Sequence, residues 1–229
     1  MTEAGWLASE DPQRMLEWIQ EEMGSEGYYL STCPNPVRIS DRKLRLFACA
    51  CLRVAGKVNS ENIDEWEGEG ARGAGPENPL AWAQGWAASS SPPTQPTKAH
   101  ILRDLVGNSW RPVKVRAFGG LLRIDWLTPT VLSLARAAYD ERQEDGTLDP
   151  FRLLLVADAL EEAGCTEEAL LQHLRGEERC WLCCGETVQV VRDAGAFWGC
   201  SSCNGAGWIP LRGPHYRGCW AVDLLLGKE

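Results

Sequence analysis

Apolar residues recur along most of this chain at the three-to-four-residue spacing of a helix that buries one face. The spacing predicts a succession of short amphipathic helices. The first starts at Asp11-Pro12, where the aspartate caps and the proline takes the first turn, and runs through Met15, Leu16, Trp18 and Ile19 to Gly24. Residues 24–39 hold Gly24, Gly27, Pro34 and Pro36 and read as loop. Ser40 caps a second helix through Leu44, Leu46, Phe47, Cys51 and Val54 to Gly56. Residues 68–98 hold five glycines, five prolines and a Ser89-Ser90-Ser91 run, and read as a flexible loop or linker. A short helix at 80–88, with Trp82 and Trp86 one turn apart, interrupts it. Thr97 opens a helix through Ile101, Leu102 and Leu105 that Gly107 stops. Thr128-Pro129 and Asp149-Pro150 repeat the cap-and-proline device, and Thr166 caps the helix 167–175. Each is too short to be stable alone, so each must bury its stripe in a common core. The fold class expected is mainly α.

The pattern then changes. Residues 187–192 (TVQVVR) are β-branched and partly alternating, 193–195 (DAG) form a turn, and 196–198 (AFW) resume the apolar run. This is a β-hairpin signature. Cys180 and Cys183 precede it, Cys200 and Cys203 follow it, and sixteen residues separate the pairs. Two residues between paired cysteines let a tight turn aim both sulfurs at one point, and a hairpin brings the two turns together. Four thiolates at about 2.3 Å satisfy tetrahedral zinc and leave no open position, so one structural Zn²⁺ is expected at Cys180, Cys183, Cys200 and Cys203. Gly185 and Gly205 each follow the second cysteine of a pair by two, which favours Cys183 over Cys184 as ligand.

Composition changes this picture in three ways. At 229 residues the chain can bury a core without metal, so zinc would serve the ribbon segment alone. The net charge of −9 excludes a uniformly cationic surface of the kind that binds nucleic acid throughout. The charge is nevertheless in blocks: segments 38–57 and 98–123 each sum to +5 between acidic stretches. Arg42, Lys43 and Arg45 in the first, and Arg111, Lys114 and Arg116 in the second, are candidates for a patch that meets an acidic partner or nucleic acid; neutralisation inside the fold is the alternative. No stretch reaches 18 apolar residues and the start, MTEAGWLASEDPQRM, is acidic and polar, so a cytoplasmic protein with reduced thiols and no membrane contact is expected.

Of the other thiols, Cys49 and Cys51 lie about 200° apart on a helix and read as core, and Cys165 reads as buried. Cys33 takes no role. His215, Cys219 and Asp223 are spaced by four and would share a helical face, a pairing that suggests nucleophilic chemistry, but Pro214 and Gly218 interrupt the pattern. His173 reads as a solvated-face or capping residue and His100 as structural. There is no Gly-rich phosphate loop, HExxH or GxSxG.

Two resemblances attach to these residues. The segment Cys200–Gly207 (CSSCNGAG) resembles the CxxCxGxG repeat of the DnaJ-type cysteine-rich domain, although Cys183-Cys184-Gly185-Glu186 lacks the second glycine and only two repeats are present. The segments SDRKLRLFACACLR (40–53), WLTPTVLSLARAAYDER (126–142), LVADALEEAGCTEEALLQHLRG (155–176) and GPHYRGCWAVDLLLGKE (213–229) resemble a recurrent family of uncharacterised planctomycete proteins. That resemblance implies a helical domain at 1–176, a zinc ribbon inserted at 177–212, and a tail at 213–229 that returns to the helical core. The function expected is a zinc-binding, non-enzymatic interaction or scaffold module with a protein partner. The alternatives are a nucleic-acid-associated regulator and, remotely, a Cys/His-dependent enzyme.

Overall fold

The computed structural model describes residues 1–24, 39–56, 63, 66–67, 78–108, 110, 113, 117–118, 121–122, 125–183 and 200–228. Nine helices appear among them: α1 (Glu3–Ala8), α2 (Pro12–Gly24), α3 (Asp41–Val54), α4 (Pro79–Ala88), α5 (Gln95–Val106), α6 (Pro129–Asp140), α7 (Pro150–Glu162), α8 (Glu168–Leu174) and α9 (Trp220–Leu226). Two short antiparallel pairs complete the described structure: β1 (Ala117–Phe118) with β2 (Leu121–Leu122), and β3 (Glu177–Arg179) with β4 (Trp208–Pro210). The protein is mainly helical. Among the described residues no helix is long and apolar enough to cross a membrane.

The caps do what their chemistry dictates. Asp11 Oδ1 accepts the backbone N–H groups of Gln13 and Arg14. Ser40, Thr128 and Asp149 cap α3, α6 and α7 through their side-chain oxygens. Two starts differ from expectation. Helix α5 begins after Thr94, not Thr97, because Pro96 is accommodated in its first turn. Helix α8 has Glu167 as its N-cap in place of Thr166, with no side-chain cap bond. Within 78–98, the short helix expected at 80–88 is present as α4. Asn78 caps α4, Pro79 sits in its first turn, and Ala83 and Ala87 pack flush between α2 and α3. Residues 68–77 and the hairpin expected at 187–198 lie outside the described residues.

Two cores form. The first gathers Trp6, Met15, Leu16, Trp18, Phe47 and Leu102 from α1–α5, with Tyr216 from the C-terminal segment. Trp6, Trp18 and Trp110 stack on one another there, so part of the tryptophan complement is core. The second gathers Val131, Tyr139, Leu153, Val156, Leu170 and Val222 from α6–α9. Helix α9 packs on α5 as well as on α6 and α8, and so closes the seam between the cores. Strand β3 follows α8 directly, and Leu211 N–H donates to Gly176 O at 2.9 Å. The two ends of the cysteine segment therefore leave the helical body side by side.

Candidate metal centre

The β3–β4 pair sets the base of the cysteine cluster. Cys180 directly follows β3, and its N–H donates to Gly207 O at 2.9 Å, which holds the first turn against the second. In the second turn Asn204, Gly205 and Gly207 all have positive φ (52°, 84° and 82°). A β-carbon disfavours that conformation, which is why glycine recurs there. The reversal swings Gly207 N–H onto Cys203 Sγ at 3.2 Å. Cys203 Sγ thus accepts the N–H of a glycine four residues after it.

Cys180, Cys183, Cys200 and Cys203 converge, with their four sulfurs within 4.8 Å of one another. Cys180 Sγ lies 3.6 Å from Cys200 Sγ, and Cys183 Sγ lies 3.6 Å from Cys203 Sγ. Those separations are far beyond a disulfide and close to the about 3.8 Å edge of a tetrahedron of sulfurs around zinc. Three of the four are buried, Cys183 is half-buried, and Ile209 packs against the cluster. Burial raises the Cys180 thiol above its ordinary value. At Cys200 burial also pushes upward, but N–H groups of Cys203 and Ser202 and the neighbouring thiols outweigh it and lower the thiol to about 7. The group can hold a metal ion, and its four thiolates would fill a tetrahedral shell. Cys184 lies outside the described residues.

The basic residues are placed differently. Arg42 Nη1 pairs with Asp223 at 2.7 Å and its Nη2 donates to Tyr139 Oη at 2.6 Å. Lys43 Nζ lies 2.6 Å from the same aspartate and donates to Leu105 O and Gly218 O. Arg42 and Lys43 are thus spent inside the fold, bracing α9 and the end of α5, and are a poor phosphate surface. Arg45 is half-buried. Arg111, Lys114 and Arg116 lie outside the described residues, as does Cys33.

The remaining thiols and histidines separate into two groups. Cys49 and Cys51 are fully buried, and burial raises both to about 12, so they are inert core residues. His100 is buried, with Nε2 2.8 Å from Pro214 O, a structural contact as expected. His173 corrects the sequence reading. It is not on a solvated face but buried on α8, where it faces Asp104, His215 and Cys219. Asp223, grouped with His215 and Cys219 by spacing, instead points to Arg42 and Lys43. Pro214 holds His215 outside the helix and Cys219 is the N-cap of α9, so the two meet across a turn, not along a helical face. Asp104 carried no sequence signal of its own, because it lies inside the apolar run of α5.

Comparison with family models, with curated proteins and with solved structures found no match.

Proposed function

We propose that this chain is a zinc-binding, non-enzymatic interaction module: a helical body that carries a four-cysteine zinc ribbon and engages a protein partner. The observation that carries the interaction reading is on α7. Phe151, Leu154 and Leu155, at the i, i+3, i+4 spacing of one helical stripe, are 66%, 40% and 42% exposed. Contiguous exposed apolar side chains on a helix are what a partner groove reads. The ribbon supports the non-enzymatic half, because four thiolates leave a zinc ion no position for water or substrate. Resemblance to the planctomycete family is consistent with a helical body interrupted at 177–212.

The test uses the full-length protein as bait against its own source extract. Wild type should retain a discrete protein partner, and Phe151→Ser/Leu155→Ser should lose it while keeping its metal and its helical circular dichroism. Retention of the same partner by both proteins would sink the α7 reading. Elemental analysis that finds no zinc lost on Cys180→Ser/Cys183→Ser would sink the ribbon reading.

A further inference from the structure

We propose that Asp104, His173, His215 and Cys219 form a second zinc site, a closed Asp-His-His-Cys tetrahedron buried between the two helical cores. The four come from α5, from α8, and from the turn that leads into α9. Asp104 Oδ1, His173 Nε2, His215 Nδ1 and Cys219 Sγ all lie within 4.8 Å of one another. The carboxylate oxygen is 2.7 Å from His215 Nδ1 and 3.2 Å from His173 Nε2. The sulfur is 3.2 Å from His173 Nε2 and 3.6 Å from His215 Nδ1. Zinc at about 2.0–2.1 Å from nitrogen and oxygen and about 2.3 Å from sulfur requires N···O edges of about 3.3 Å and N···S edges of about 3.6 Å. The Asp104–His215 edge has to open by about 0.6 Å and the Cys219–His173 edge by about 0.4 Å to admit the ion.

Two other readings account for less of the geometry. A nucleophilic relay needs the thiol on one ring nitrogen of histidine and the carboxylate on the other. Here His215 Nδ1 faces both, and among the described residues its buried Nε2 has no hydrogen-bond partner. Cys219 is also completely buried, out of reach of substrate. A purely hydrogen-bonded cluster would crowd one oxygen: Asp104 Oδ2 takes the Tyr216 N–H at 2.7 Å, and both inward imidazole nitrogens face Oδ1. Zinc relieves the crowding: the thiol proton leaves to solvent, each imidazole offers its inward nitrogen as a lone pair, and the four converging atoms share one cation.

Charge fits the burial. The exposures are 1% for Asp104, 7% for His173, 4% for His215 and 0% for Cys219. One carboxylate and one thiolate against Zn²⁺ leave no net charge, which is what an interior can hold without a large desolvation penalty. The outer shell supports the carboxylate and the turn as metal sites do, while His215 Nε2 has no partner among the described residues. The Tyr216 N–H fixes the Asp104 carboxylate as a one-oxygen ligand. The His173 and His215 rings meet edge to face at 4.7 Å, and Trp220 lies 4.9 Å from His173. Cys219 N–H donates to Tyr216 O at 2.9 Å, closing the turn that presents His215 and Cys219 together. A cleft lined by Trp6, Gly107, Trp220, Asp104 and His173 gives the ion its way in.

The test counts metal and thiolates on the full-length chain. Wild type purified from zinc-supplemented culture should hold two zinc ions per chain, Cys180→Ser/Cys183→Ser one, and Cys219→Ser one. With cobalt in place of zinc, Cys180→Ser/Cys183→Ser should show tetrahedral absorption with the charge-transfer intensity of a single thiolate. A folded Cys180→Ser/Cys183→Ser protein that holds no metal overturns the proposal. If that variant does not fold, a wild-type count of one with four-thiolate intensity overturns it equally. A wild-type count of one with single-thiolate intensity would uphold this site and remove the ribbon's zinc instead, so the two readings fail separately.

Discussion

The ribbon cluster and the core cluster present the same number of ligands to a metal in two different settings. Four thiolates with Zn²⁺ carry a net charge of −2, which is tolerable beside half-buried Cys183 but not in a sealed core. The core cluster replaces three of those thiolates with two neutral imidazoles and one carboxylate and reaches neutrality. Their reach differs as well. The ribbon ligands span residues 180–203, so an ion there organises one short segment. The core ligands span residues 104–219, so an ion there ties α5 of the first core to α8 and α9 of the second. Ligand chemistry follows burial, and the effect on stability follows the length of chain that is closed.

The largest effect is therefore expected at Asp104. Its carboxylate is fully buried, which by itself would raise its pKa, yet His215 and His173 hold it far below the ordinary carboxylate range. Asp104→Ala leaves two imidazoles and a thiol converging on nothing, and should cost about 3–5 kcal/mol of global stability, the usual result of removing one member of a buried charged set. Urea denaturation followed by helical circular dichroism would measure it; a loss confined to ribbon signals would mean that the core cluster does not join the two halves. Gly218→Ala comes next. Gly218 has φ of +91°, and a β-carbon there would sit 2.5 Å from Leu46 Cδ1 and 2.9 Å from Leu105 Cδ2. Strain and overpacking together should cost about 2–3 kcal/mol. Because Gly218 lies between His215 and Cys219, the same substitution should release the core zinc while the ribbon keeps its own, which metal counts on both variants would resolve.

The contrast also explains what was legible in the sequence. Cys180, Cys183, Cys200 and Cys203 were readable because their spacing encodes the geometry: each pair makes its own turn. The helices with side-chain caps at Asp11, Ser40, Thr128 and Asp149 were readable for the same local reason. The core cluster has no such code. His215 and Cys219 sit four apart, but Pro214 makes that spacing a turn instead of a helical face, and it pointed to Asp223 as the third member. The true partners, Asp104 and His173, lie on two other helices. Asp104 is hidden in an apolar run, and His173 is indistinguishable from a polar-face residue until α8 is docked. Arg42 and Lys43 follow the neutralisation reading that the charge blocks also offered, because α9 brings Asp223 beneath them. At 79–88 the short helix expected from the sequence is present as α4, and its buried alanines let it approach α2 and α3 closely.

Smaller effects test the other half of the comparison. Cys200→Ser should abolish zinc binding at the ribbon and expose residues 177–212 to limited proteolysis. The helical body should lose no more than about 1 kcal/mol, since among the described residues half-buried Trp181 is the one apolar side chain of the metal turns that packs on its cores. A parallel collapse of the helical signal would show instead that the ribbon is part of the body. The smallest stability change is expected at the exposed stripe of α7. Phe151→Ser/Leu155→Ser removes apolar surface that water already touches, so stability should move by about 0.5 kcal/mol or less, and both metal counts should stay as in wild type. Partner capture should nonetheless fail, because interface energy concentrates in a few apolar anchors that need contribute nothing to the folded monomer. If that variant unfolds, the stripe covers something within the chain, and its residues belong with the core that α7 already helps to build.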